Sequence, residues 1–215
     1  DALPISKKCR KMLDDAGYPD CHIVASNSLD EYIIRDMLLQ GAKIDMFGVG
    51  ERLITSKSEP VFGGVYKLVA VEDNDENIIP KIKISENVVK ITTPGFKQVH
   101  RLYSKSDSRA IADVITMHGE TVDNNKPYTI FDPEHTWKKK TVTDFYSREL
   151  LKPIFEKGKC VYECPDLNVL REYCKMEIDG LWDEVKRFEN PHTYYVDLSE
   201  KLWNLKHTML EEYQD

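Results

Sequence analysis

Ile44-Asp45-Met46-Phe47-Gly48-Val49-Gly50-Glu51-Arg52-Leu53, with Gly63-Gly64-Val65-Tyr66-Lys67-Leu68 a short way on, is the stretch on which the fold turns. A short apolar run breaks into paired glycines and then into helix-compatible residues. That is the pattern of a strand, a loop and a helix whose backbone amides face an anion. Glycine removes the Cβ that would hold a phosphate away, and the same residue also serves a plain tight turn. The stretch by itself leaves both readings open.

The residues before it favour the phosphate reading. Cys21-His22-Ile23-Val24-Ala25-Ser26 reads as a buried strand with small polar residues at its carboxyl end, so Ser26 and Asn27 stand at the strand's exit. Ser28-Leu29-Asp30-Glu31 has the spacing of a capping box, with Ser28 as N-cap and Glu31 three residues on. Leu29, Ile33, Met37 and Leu38 then share a helical face, and Gly41 ends the helix. Upstream, Ile5, Cys9, Leu13 and Ala16 recur at helical spacing before Gly17. The order helix, strand, helix, strand, glycine loop is that of a parallel sheet or an α/β barrel, in which phosphate sits at the carboxyl ends of the strands.

After Leu68 the alternation stops. Residues 65–72, 80–84, 89–92, 97–103, 111–117 and 128–131 read as short strands separated by turn chemistry. From residue 166 the period becomes helical: Leu167, Leu170, Tyr173 and Cys174, then Leu181, Trp182, Val185 and Phe188 up to Asn190-Pro191. Asp197 to Glu200 has capping spacing ahead of a last helix carrying Leu198, Leu202, Leu205 and Met209. The expected fold class is α/β: the last part of an incomplete α/β barrel over residues 1–64, a β-rich layer over 65–145, and a mainly helical region over 146–215.

Composition narrows the function. A chain of 215 residues, 41% hydrophobic and 31% charged, is long enough to bury a core. A net charge of -7 and a pI of about 5.5 disfavour non-specific nucleic-acid binding, and Lys138-Lys139-Lys140 beside Trp137 reads as a solvated edge. No apolar run approaches the roughly 18 residues a bilayer demands, so no membrane partner is expected. Cys9, Cys21, Cys160, Cys164 and Cys174 show no pairing pattern and suit reduced thiols in a cytoplasmic protein. Cys160, Cys164 and Cys174 lack the fourth ligand a structural zinc site uses, so no metal ligands are assigned.

The string Ile23-Val24-Ala25-Ser26-Asn27, then Leu29-Asp30-Glu31, Gly41-Ala42, Phe47-Gly48-Val49-Gly50 and Gly63-Gly64-Val65-Tyr66-Lys67-Leu68 resembles nicotinate phosphoribosyltransferase. The likeness continues through Lys83-Ile84-Ser85-Glu86-Asn87, Thr92-Thr93-Pro94-Gly95-Phe96-Lys97 and Asn190-Pro191-His192, nearly the whole chain. Ser28 stands where many members have Asp, and Glu51 where many have Thr. A carboxylate at Glu51 suits a helix N-terminus but would repel a phosphate if it pointed inward.

The resemblance implies a type II phosphoribosyltransferase of NAD salvage, which joins nicotinate to phosphoribosyl pyrophosphate with coupled ATP hydrolysis and magnesium on the departing pyrophosphate. It implies that Ser26, Asn27, Gly48, Val49 and Gly50 hold the 5′-phosphate, that Lys67 meets the substrate's anionic groups, and that Asp1 closes an Arg-x-Asp-Ser-Gly-Asp motif contacting the ribose. The remainder of that motif and the family's phosphorylated histidine would lie upstream, in a missing N-terminal part, so none of the six histidines takes that role. No catalytic residue is assigned, the isolated chain is expected to be inactive, and a homo-oligomer is expected. In the family the β-rich layer joins a sheet that the N-terminal part also builds, so strands near Thr92-Pro94-Gly95 are expected to lack partners. A non-catalytic phosphate-binding or assembly module, or another phosphosugar-binding barrel enzyme, also fits the residues.

Overall fold

The computed structural model describes residues 2–212. The chain divides into two compact units, one ending at Val65 and one beginning at Tyr66.

The first unit runs α1 (Ala2–Asp15), β1 (Val24–Ser26), α2 (Glu31–Leu39), β2 (Met46–Gly48) and α3 (Glu51–Ile54). β1 and β2 are parallel, with Val24 opposite Met46, Ala25 opposite Phe47 and Ser26 opposite Gly48. Arg10 fixes the turn between α1 and β1: it pairs with Asp14 at 2.8 Å and donates to the carbonyls of Cys21 and Tyr18 at 2.7 Å each. Ser6, buried on α1, donates to Leu3 O at 2.8 Å and accepts from Lys43 N at 3.1 Å, which ties the helix to the approach of β2. Leu29 and Ile44 are the buried apolar residues. Two sequence expectations need correction here. The strand expected over 21–26 forms only at Val24–Ser26, and Val24 is exposed. Ser28 does not cap α2, because its φ of 51° is left-handed whereas an N-cap needs an extended backbone. Asp30, with φ -137°, is the cap and accepts from Ile33 N at 2.9 Å.

The second unit opens with the antiparallel pair β3 (Ala70–Glu72) and β4 (Ile78–Pro80). Next come a 3-10 turn at Val88–Lys90, β5 (Lys97–Ser104), β6 (Ala110–Met117), β7 (Tyr128–Phe131), β8 (Lys139–Val142) and β9 (Phe145–Glu149). The short pair β10 (Phe155–Glu156) and β11 (Lys159–Cys160), α4 (Leu167–Asp179), β12 (Val196–Ser199) and α5 (Glu200–Glu211) complete it. Six strands form one mixed sheet in the order β8-β7-β12-β6-β5-β9. β12 enters parallel to β6 and antiparallel to β7. Leu102, Ala112, Val114, Ile130, Val142 and Phe145 make the core. α5 packs against β6, β7 and β12 and buries Leu202.

The alternation in 97–103, 111–117 and 128–131 finds its strands, but the rest of this half departs from expectation. Residues 65–69 are irregular, and β4 ends at Pro80, with one further backbone bond, Lys81 N to Val69 O at 2.8 Å, beyond it. The strand expected over 89–92 is a 3-10 turn, because Asn87 caps it by accepting from Val89 N at 3.1 Å. Residues 181–188 make turns rather than a helix. Asp197 lies inside β12, and Ser199 is the cap of α5. The described residues of the expected 146–215 helical region are therefore not mainly helical: β12 sits inside the sheet and β9 on its edge. β5 also has partners on both sides within this chain, β6 and β9.

Candidate phosphate site

The register of β1 and β2 places Ser26 beside Gly48, so the two loops that follow leave the same, carboxyl, end of the parallel pair. Ligands of open α/β sheets bind at such ends, where strand-to-helix loops diverge. After Ser26 the chain turns through two non-glycine residues with positive φ, Asn27 at 93° and Ser28 at 51°. Asparagine tolerates this region, while serine adopts it at a conformational cost. Strain of this kind gathers at ligand loops.

The second loop carries Val49 and Gly50. Their N–H groups make no backbone hydrogen bond among the described residues. Gly50 stands as the residue before α3, a helix of four residues, too short for its dipole to matter much. The two flanking glycines differ in surroundings. A Cβ on Gly48 would sit 3.0 Å from Ser26 Cβ, so Gly48 lets β1 and β2 close up. A Cβ on Gly50 would meet nothing within 4 Å, so its lack of a side chain serves no packing contact within the protein.

A contact that the sequence reading missed joins the loops. Asp30 spends one carboxylate oxygen capping α2 and receives Arg52 Nη1 on the other at 2.7 Å. The loop after β1 is thereby tied to the helix after β2. The signal was present, an Asp two residues past Ser28 and an Arg after the glycines, but only the fold brings them together. Glu51 is exposed, with Lys57 Nζ 3.4 Å from its carboxylate.

Ser26, Asn27, Gly48, Val49 and Gly50 are thus brought together. Lys67 lies in the other unit, exposed and in irregular backbone rather than on the expected strand. Asp1 lies outside the described residues. Among the described residues no group of three His, Cys, Asp or Glu side chains could hold a metal ion, and no helix is long and apolar enough to cross a membrane.

Residues 96–206 match the family model described as the nicotinate phosphoribosyltransferase C-terminal domain. The chain is 43% identical over 212 residues to a nicotinate phosphoribosyltransferase of Bacillus subtilis, covering 99% of this chain and 43% of the relative. It is 30% identical to one of Dictyostelium discoideum, covering 97% of this chain and 37% of the relative. The crystal structure of human nicotinic acid phosphoribosyltransferase superposes with a TM-score of 0.73 at 23% identity, over 98% of this chain and 38% of that one, and so shares the fold. The chain spans about two fifths of the length of these relatives. It belongs to the nicotinate phosphoribosyltransferase family and corresponds to the carboxyl-terminal portion of its members.

Proposed function

We propose that this chain supplies the 5′-phosphate cradle of a nicotinate phosphoribosyltransferase, which forms nicotinate mononucleotide from nicotinate and phosphoribosyl pyrophosphate with ATP hydrolysis in NAD salvage. The observation that carries the reading is the pairing of Ser26 with Gly48, which sets two short polar loops side by side at one strand end. In this reading the N–H groups of Val49 and Gly50 and the Ser26 hydroxyl donate to the phosphate, while Asn27 shapes the loop. Displacement at the ribose carbon develops positive charge, and fixing the phosphate orients that carbon for attack. The first unit is then the last part of the family's α/β barrel.

The rest of the active site belongs to the other three fifths of the enzyme and to a second copy in a homo-oligomer. The 215-residue chain alone is inactive in this reading. A cytoplasmic setting accompanies it, supported by five cysteines that form no pair. Lys67 remains a candidate for the substrate's anionic groups, and Asp1 for the ribose. The residues beside the loops do not fit a magnesium ion of their own, since Asp30 is engaged by Ile33 N and Arg52. Magnesium in this reading arrives with the pyrophosphate.

The two glycines separate binding from folding. Gly50→Val in the full-length enzyme should raise the Michaelis constant for phosphoribosyl pyrophosphate about ten- to hundredfold, the loss of one charge-assisted hydrogen bond. Its stability should fall by about 1 to 3 kcal/mol, the cost of holding a non-glycine residue at φ -115°, ψ -105°. Gly48→Ala crowds Ser26 Cβ and should lower stability first. Normal substrate affinity in a Gly50→Val enzyme that melts early would make the loop a structural turn and sink the proposal.

A further inference from the structure

Two buried polar side chains of the second unit lack partners, and they lie together. His100 on β5 is 5% exposed with no hydrogen bond to Nε2, and the buried Thr116 on β6 has none to its hydroxyl. Thr116 stands opposite Gln98, and Glu149 of β9 stands opposite His100. Side chains alternate along β5, so Gln98, His100, Thr116 and Glu149 share one face of the sheet. A cavity of about 430 Å³ opens against that face, closed on its other side by the loop after β6.

The charge of this cavity is one-sided. Glu120 and Glu149 line it, and no lysine or arginine does. Glu120 is already engaged by Ser199 Oγ at 2.8 Å, Met117 N at 3.2 Å and Tyr128 OH at 3.4 Å. Glu149 receives only Gln98 Nε2, at 3.3 Å on Oε2, which leaves Oε1 open. Burial pushes the His100 imidazole below its ordinary pKa against the opposing pull of Glu149 and Glu120. At pH 7 the ring is therefore neutral and keeps an acceptor nitrogen.

We propose that this cavity binds the ammonium group of a small primary amine, which donates N–H bonds to His100 and Glu149. A buried polar group without a partner is costly, and cross-strand neighbours such as His100 and Glu149 are close enough to accept from one guest. Two carboxylates repel an anion. Among the described residues the His and Glu side chains do not converge on a metal ion. No Phe, Tyr or Trp lines the cavity, so the aromatic cage that quaternary ammonium prefers is missing. The inference stands independently of the candidate phosphate site, because every residue it uses lies in the second unit.

The test is calorimetric titration of the full-length enzyme with butylamine, beside tetramethylammonium, which has the charge without N–H donors, and butanol, which lacks the charge. Butylamine should bind at least about tenfold more tightly than either. Glu149→Gln, at an exposed position, should weaken butylamine about tenfold. His100→Leu should weaken it similarly without lowering the melting temperature, because it removes an unpaired buried nitrogen. Absence of butylamine binding up to about 10 mM, equal binding of tetramethylammonium, or unchanged affinity in Glu149→Gln would overturn the proposal. So would a His100→Leu enzyme that melts markedly earlier yet binds butylamine normally, since His100 would then serve packing alone.

Discussion

Arg101→Ala should cost the second unit about 3 kcal/mol, the lower end of the range for removing one partner of a buried ion pair. Arg101 grips Asp113 with two bonds of 2.8 and 2.9 Å and reaches Glu177 on α4 at 2.8 Å. Arg148 meets the other oxygen of Glu177 at 2.6 Å. The side chains of Arg101, Asp113 and Glu177 are 18%, 12% and 17% exposed, dry enough for an abandoned carboxylate to matter and wet enough to keep the cost from the top of the range. α4 buries no residue of its own, so these bonds hold it to the sheet together with the bond from Ala110 N to the carbonyl of its C-cap Gly180 at 2.9 Å. Urea unfolding of Arg101→Ala, Glu177→Gln and the double variant would measure it. A loss below about 1 kcal/mol would mean that solvent already screens the network.

Leu198→Ala should be comparably costly, about 3 kcal/mol, because Leu198 is 1% exposed in the strand between β6 and β7. Leu167→Ala, at an exposed position on α4, should stay within about 0.5 kcal/mol. The contrast checks the topology. Were Val196–Ser199 merely the lead-in to a surface helix, the two substitutions would cost alike.

That strand also shows where sequence reading stops. Asp197 and Ser199 are both capping types just ahead of a helix, so four residues of β12 are indistinguishable by pattern from an N-terminal cap. Only β6 and β7, far away in sequence, make them a strand. The eight-residue strands β5 and β6 carry enough alternation to be legible alone. Residues 181–188 have helical spacing, yet the structure places turns there, with i to i+3 bonds from Val185 to Trp182 and from Lys186 to Asp183. At the candidate phosphate site the glycines and Ser26 could be read from composition and order. The register that makes Ser26 and Gly48 neighbours could not, nor could the exchange of Ser28 for Asp30 as cap, since backbone conformation decides it.

In the proposed reading the loops after β1 and β2 hold one phosphate between them. Hydrogen exchange of the full-length enzyme, with and without saturating phosphoribosyl pyrophosphate, reads that contact from the backbone amides themselves. Slowed exchange is expected in peptides covering Asn27–Ser28 and Val49–Gly50, and Gly50→Val should shift it to about ten- to hundredfold higher concentrations of the compound. Unchanged exchange in both loops while the compound is bound would contradict it.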